Sequence, residues 1–129
     1  MDYLLTEEQI MIRDLARQIA VEKIVPVRAE LDEQNKFPRD IMKAIAQADL
    51  YALFIPEEYG GLGKKSLELC ITVEELSKAC VGVATTYASS ALGTYPILLY
   101  GSEEQKKKFL PDVASGKSLV AFGLTEANA

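Results

Sequence analysis

One stretch of the sequence limits the possible folds more than any other: the 24 residues from Ala79 to Ser102 carry no formal charge. The rest of the chain is evenly charged, and charged residues make up 26% of the whole. Charged side chains are almost never fully buried without a partner, so a long uncharged stretch indicates a segment that other parts of the protein enclose. We therefore expect a buried helix here.

Three interpretations of the uncharged segment compete. A membrane span needs about 20 predominantly apolar residues, and the glycines, serines, threonines and Pro96 of this segment argue against one. The second interpretation is an ordinary core helix. The third is a buried helix whose small side chains leave room for a ligand, with a larger side chain one turn further on; the small residues include Ala84, Thr85, Ala88, Ser89 and Ala91, and the larger one is Leu92. The residues alone leave the last two interpretations open.

Signals of helix ends occur in the flanking segments. Thr6–Gln9 and Ser102–Gln105 both fit a capping box, and Ser66 is a candidate cap for a further helix. Pro26 is expected to kink or end the first helix, and Pro38 suits a first helical position.

Apolar residues at helical spacing follow these starts. They are Ile12, Leu15, Ile19 and Ile24, then Ile41, Ile45 and Ala48, then Leu69, Val73, Leu76 and Cys80. On the last of these helices we expect Glu74, Glu75 and Lys78 to face water.

The apolar run Leu119–Leu124 lacks helical spacing and predicts a strand. A single strand leaves its amides and carbonyls unpaired, so the chain is expected to be a fragment of a larger protein. The predicted fold is all-α, an antiparallel helical bundle of about five to six helices, with one terminal strand that begins a missing β-domain.

The composition excludes several functions. No histidine occurs, which removes the commonest general base and metal ligand, and the adjacent carboxylate pairs are interpreted as surface charge. The formal charge of -5 disfavours nucleic acid as a partner. Cys70 and Cys80 would lie roughly 15 Å apart on one helix, so they cannot bridge. The first residues lack the features of a signal or transit peptide, which predicts a cytoplasmic protein.

Several short motifs occur in an order that resembles the acyl-CoA dehydrogenase family. The clearest is the loop Ile55-Pro56-Glu57-Glu58-Tyr59-Gly60-Gly61-Leu62-Gly63. The others are Thr6–Gln9, Leu15-Ala16, Glu22–Pro26, Phe37-Pro38, Glu74–Cys80, Pro96-Ile97, Gly101, Glu103–Lys106, Leu110-Pro111 and Phe122–Glu126. The resemblance spans essentially the whole chain.

The resemblance implies a domain organisation and a reaction. Residues 1–117 would form an amino-terminal helical domain, and residues 118–129 would be the truncated start of the middle β-domain. The full-length parent would use FAD to convert an acyl-CoA thioester to a trans-2-enoyl-CoA and pass electrons to electron-transfer flavoprotein, commonly as a homotetramer. The family's catalytic glutamate lies downstream, so no catalytic residue is assigned here, and the 129-residue chain alone is expected to be inactive.

The resemblance also implies site residues. Phe122, Leu124 and Thr125 would contact the flavin, mostly through backbone atoms and the threonine hydroxyl. Ala84, Thr85, Ala88 and Leu92 would line the acyl pocket. The family commonly has proline where Ala127 stands, and its following Gly-Ser lies beyond this sequence, so phosphate binding is not assigned.

Two other kinds of function remain open. An acyl-CoA oxidase or a related flavin monooxygenase would use the same scaffold. A non-catalytic helical interaction module would predict a stable, soluble monomer, whereas a fragment predicts exposed apolar surface and dye binding.

Overall fold

A computed structural model of the protein describes residues 4–127, which are predominantly helical; residues 1–3 and 128–129 of the predicted domains lie outside this range. The helices of the described residues are α1 (Glu7–Ile19), α2 (Arg28–Glu33), α3 (Arg39–Gln47), α4 (Ser66–Ala79), α5 (Val81–Tyr100) and α6 (Glu103–Ala114). A π-helical turn at Ala20–Ile24 extends α1, and a 3-10 turn at Glu57–Tyr59 lies before α4. The all-helical prediction is confirmed.

Local residues set most of the helix ends. Thr6 and Ser102 cap α1 and α6, and both predicted capping boxes are present. The prediction for Ser66 is wrong, because Ser66 is the first helical residue. Lys65 precedes the helix, and its amide donates to the carboxylate of Glu68 at 3.0 Å. Pro38 likewise precedes α3 rather than opening it.

Helix α4 is the centre of the bundle and packs against α1 on one side and α5 on the other. Cys80 is extended and separates α4 from α5, so that α5 folds back along α4. The guanidinium of Arg28 donates to the carbonyl of Ala79 at 3.1 Å and satisfies an acceptor at the end of α4. The core packed against these helices contains fully buried aromatic residues. One of them, Tyr87, donates its hydroxyl to the Leu50 carbonyl at 2.7 Å.

The loop between α3 and α4 is fastened by its own backbone. The amides of Leu62, Gly63 and Lys64 donate back to carbonyls of residues 52–55, each at 2.8 Å. Gly61 must lack a side chain, because a Cβ there would overlap the carbonyl of Ile55. Tyr59, buried in this loop, donates its hydroxyl to Glu103 at 2.8 Å, which ties the loop to the start of α6.

Three further expectations from the sequence are wrong. The predicted strand Leu119–Leu124 does not form, and no strand occurs among residues 4–127, because nothing in that range offers the run a pairing edge. Glu75 does not face water: it is 3% exposed, since α1 covers this side of α4. Ile12, Ile19 and Ile24 are buried as expected, but Leu15 is 38% exposed and Ala16 is buried in its place.

Candidate functional site

Helix α5 has one buried face and one open face, although no residue on it is charged. The buried face packs on the core through Val83, Ala84, Tyr87, Ser90, Ala91 and Thr94. The open face includes large apolar side chains whose exposed fractions are 69% for Val81, 55% for Leu92 and 67% for Leu99. An apolar helix surface left uncovered in this way is typical of an interaction or ligand-binding surface.

The residues predicted to line an acyl pocket divide between these faces. Thr85 and Leu92 are exposed and Ala88 is half-buried, and their spacing of three and four residues places them on one side of the helix. Ala84 is 1% exposed and belongs to the core. Three of the four predicted residues therefore share the open face, and Ala84 lies behind it.

The tail after α6 meets α5 at Gly93. A Cβ on Gly93 would lie 2.8 Å from the carbonyl oxygen of Ala121 and 2.7 Å from Cγ1 of Val120. The tail backbone therefore crosses α5 in direct contact with the helix, one residue from Leu92. This crossing brings the two predicted groups of site residues, on α5 and on the tail, to neighbouring parts of the molecule.

The residues predicted to contact flavin follow this crossing. Phe122 is 44% exposed, Leu124 is 75% exposed and Thr125 is also exposed. None of them forms part of the core, so their aromatic, apolar and hydroxyl groups are accessible to a ligand. Between the tail and the helices lies a groove of about 310 Å³ that is bordered by Ile97 on α5 and Phe109 on α6.

Helix α4 carries two buried carboxylates, Glu68 and Glu75. They lie at its interface with α1, on the side of α4 opposite to α5. Glu75 accepts two hydrogen bonds from the Arg17 guanidinium, both at 3.0 Å, and one from Lys78 at 2.8 Å. Glu68 accepts from the side-chain amide of Gln9 at 2.8 Å. The hydrogen bonds from Arg17 lower the pKa of Glu75, and the one from Gln9 lowers the pKa of Glu68.

The sequence interpretation missed these carboxylates. Glu68 and Glu75 are seven residues apart, or about two helical turns, which places both on one side of α4. The seven-residue spacing was the feature of the sequence from which their shared position on α4 could have been predicted. Both groups are held ionised by hydrogen-bond donors, so their arrangement suits a structural interface better than proton transfer.

Other kinds of site find no support in the described residues. No group of three histidine, cysteine, aspartate or glutamate residues within 4–127 could hold a metal ion. No helix in that range is long and apolar enough to cross a membrane. Cys70 and Cys80 are free cysteines, as their separation predicts. Grooves beside Phe37 and Pro38 have charged borders and contain none of the predicted site residues.

Comparison with known proteins gives consistent matches. The sequence model of a family described as acyl-CoA dehydrogenase, N-terminal domain, matches residues 6–117. The short-chain specific acyl-CoA dehydrogenase of Clostridium acetobutylicum is 40% identical over 131 residues, covering 100% of this chain and 34% of that protein. The acryloyl-CoA reductase (NADH) of Anaerotignum propionicum is 40% identical over 129 residues, covering 100% and 33%. The chain thus spans about one third of the length of these relatives.

Solved structures share the fold. Butyryl-CoA dehydrogenase from Megasphaera elsdenii matches with a TM-score of 0.94 and 34% identity, covering 100% of this chain and 35% of that chain. Acyl-CoA dehydrogenase complexed with FAD from Bacillus anthracis matches with 0.89 and 35%, covering 97% and 22%. A chain in the structure of the electron-transferring flavoprotein of Acidaminococcus fermentans matches with 0.94 and 39%, covering 100% and 34%.

Proposed function

The chain belongs to the acyl-CoA dehydrogenase family, and we propose that it serves as the amino-terminal domain of an FAD-dependent enzyme that oxidises an acyl-CoA thioester to a trans-2-enoyl-CoA. Residues 1–117 form the helical domain in this proposal, and residues 118–129 begin the middle β-domain. The relatives support it, because this chain corresponds to about a third of an acyl-CoA dehydrogenase.

The observation that carries the proposal is the crossing of the tail over α5 at Gly93. An acyl-CoA dehydrogenase must hold an apolar tail beside a flavin. The open face of α5 supplies an uncharged surface, and the tail supplies exposed groups one to four residues after the crossing. An apolar ligand that covers both would remove from water the side chains of Leu92 and Phe122, which is favourable.

The described residues have distinct roles in this proposal. Thr85, Ala88 and Leu92 form one wall of the acyl pocket, and the small side chains of Thr85 and Ala88 leave space along the helix. Ala84 supports that wall from the core side.

Phe122, Leu124 and Thr125 would hold the flavin, mostly through backbone atoms and the threonine hydroxyl. The chemistry that bound FAD supplies is acceptance of a hydride from the substrate's β-carbon. The residues of this chain exclude water and orient the acyl tail, and the α-proton is removed by a base elsewhere in the full protein.

The same proposal includes partners and location. FAD as cofactor is supported by the similar enzyme that was solved with FAD. Electron-transfer flavoprotein as electron acceptor is supported by the similar chain found in a structure of such a flavoprotein. We further propose a homotetramer, as is common in the family, and a location in the cytoplasm.

A second candidate function is the reverse reaction. The reductase of Anaerotignum propionicum is as similar to this chain as the short-chain dehydrogenase is, at 40% identity each. A site that holds an acyl chain beside a flavin could equally accept a 2-enoyl-CoA and reduce it. The direction would then depend on the electron donor or acceptor.

Turnover by the full-length protein tests both candidates. With butyryl-CoA and an artificial electron acceptor we expect flavin-dependent formation of the 2-enoyl-CoA, whereas the reductase candidate predicts turnover only with a 2-enoyl-CoA and a reductant. The 129-residue chain alone should give no turnover. A full-length protein that binds no flavin and turns over neither substrate would contradict the proposal.

A pair of variants tests the assignment of the α5 wall. Leu92→Phe should raise the KM for acyl-CoA of longer chain, because the larger ring narrows the space beside Ala88. Leu67→Phe is the matched control, since Leu67 is exposed to a similar degree, 51%, but lies on α4. Equal KM values for the two variants would contradict the assignment of Leu92 to the acyl pocket.

A further inference from the structure

Gly93 is an unusual residue for its place in the fold. It is buried, and it lies in the interior of the 20-residue helix α5. Glycine is among the least favourable residues there, because it loses more backbone freedom than any other residue when the helix forms. Its presence therefore calls for a reason outside the helix itself.

The close approach of the tail to α5 explains why residue 93 is a glycine. An added Cβ at Gly93 would lie 2.8 Å from the carbonyl oxygen and 2.9 Å from the carbonyl carbon of Ala121, closer than real Cβ atoms approach such groups. Val120 packs against the core, so rotating its side chain away would disturb that packing, and the backbone of Ala121 cannot rotate away at all. Any side chain at residue 93 would therefore move the tail away from α5.

The position of the crossing also gives the tail a direction. Leu119 and Val120 border the same groove as Ile97, whereas Val120 and Ala121 meet Gly93, one helical turn earlier on α5. The tail therefore advances toward the amino-terminal half of α5, where Thr85 and Ala88 lie. Phe122 is the next residue along this path.

We propose that Gly93 is a positioning residue that sets the separation between the acyl-binding face of α5 and the flavin-contacting segment Phe122–Thr125. The inference rests on the proposed function for the identity of the two ligands. The contact itself is independent of that identity. A single missing methyl group thus fixes how closely an acyl chain on α5 approaches a ring system held by the tail.

The test compares Gly93→Ala with Gly82→Ala in the full-length holoprotein. Both substitutions add one methyl group to α5, but a Cβ at Gly82 meets only Cys80 Sγ, at an ordinary 3.8 Å. Gly93→Ala should speed amide exchange in residues 118–122 by about tenfold, with α1 and α4 unchanged. It should also weaken FAD binding and lower kcat by about 10²-fold, as expected when reacting groups are misplaced by about 1 Å.

A spectroscopic measurement separates positioning from a merely structural role. Gly93→Ala should change the flavin absorbance response to butyryl-CoA while far-UV circular dichroism stays the same. The double variant Gly93→Ala/Val120→Ala removes one of the two collisions and should recover part of the wild-type response.

The possible results are distinguishable. Unchanged exchange in residues 118–122, an equal effect of Gly82→Ala, or global unfolding by Gly93→Ala without partial rescue would each overturn the inference. Localised exchange with an unchanged flavin response would overturn it as well. If the wild-type protein binds no FAD, the proposed function fails, and the exchange comparison still decides whether Gly93 sets the position of the tail.

Discussion

The two long surfaces of this domain invert the usual distribution of charge. At the interface of α1 and α4, carboxylates are buried: the Glu75 side chain is 4% exposed and paired with both Arg17 and Lys78. On the open face of α5, apolar residues such as Leu92 and Leu99 are exposed and no charge is present. The first surface is complete within the described residues, and the second is not.

This difference shows which side of the domain is fully packed and hydrogen-bonded by the described residues alone. Buried carboxylates are stable only when their hydrogen-bonding capacity is satisfied, and every buried side-chain nitrogen or oxygen in residues 4–127 has a partner. The α1–α4 side therefore needs nothing further. The α5 side exposes surface whose transfer from water would be favourable, so covering it by a ligand or by protein would release free energy.

Truncation of two leucines should give the largest contrast between the surfaces. Leu76→Ala in α4 should lower the free energy of unfolding by about 2–5 kcal/mol, because Leu76 is fully buried and the change leaves a cavity. Leu92→Ala on α5 should change it by less than about 0.5 kcal/mol. Urea unfolding monitored by circular dichroism measures both. Equal losses would mean that α5 is covered in solution.

Acidification should destabilise the charged interface specifically. The pKa of Glu75 in the folded chain lies below its ordinary value of 4.5, so its contribution to stability is present above 4.5 and is lost as the pH falls through the folded value. Glu75→Gln should lower the urea midpoint of unfolding at pH 7. It should also make that midpoint fall less steeply as the pH drops below about 4.5.

The neighbouring residue provides the control for this experiment. Glu74→Gln changes a side chain that is 69% exposed and paired with Lys78 alone, so the decline below pH 4.5 should keep its wild-type slope. If both variants flatten the decline equally, the buried pair with Arg17 is not its source.

Dye binding should report the smallest effect, confined to the open face. The 129-residue chain should enhance the fluorescence of an apolar dye, and Leu92→Gln/Leu99→Gln should reduce the enhancement by roughly half, because the two side chains belong to one contiguous patch. Leu67→Gln, at a similarly exposed leucine on α4, should leave it nearly unchanged. A chain that binds no dye would instead favour a self-contained interaction module.

Elements whose signals are local could be predicted from the sequence. Thr6 with Gln9 and Ser102 with Gln105 each form a capping box within four residues, so no distant information is needed. Ser66 looked equivalent, but α4 begins at Ser66 itself, and the amide of Lys65 before it donates to the carboxylate of Glu68.

Features that depend on distant partners could not be predicted in the same way. Glu75 is buried because Arg17, 58 residues earlier, reaches it across the bundle. The run Leu119–Leu124 has the composition of a strand, but strand formation requires a neighbouring strand that residues 4–127 do not provide. The residues of α5 that were predicted to line a site do lie on a helix, and their division between two faces followed only from how that helix packs.

The loop between α3 and α4 has a consequence for sequence variation. Three of its amides pair with main-chain carbonyls, so the attachment depends on the number of residues between partners and, except at Gly61, hardly on their side chains. Leu62, 41% exposed, can be exchanged for other residues without breaking it. One inserted residue, in contrast, would carry each donor past its acceptor. Related sequences should therefore keep a constant length here and a glycine at residue 61, while exposed residues such as Leu62 vary.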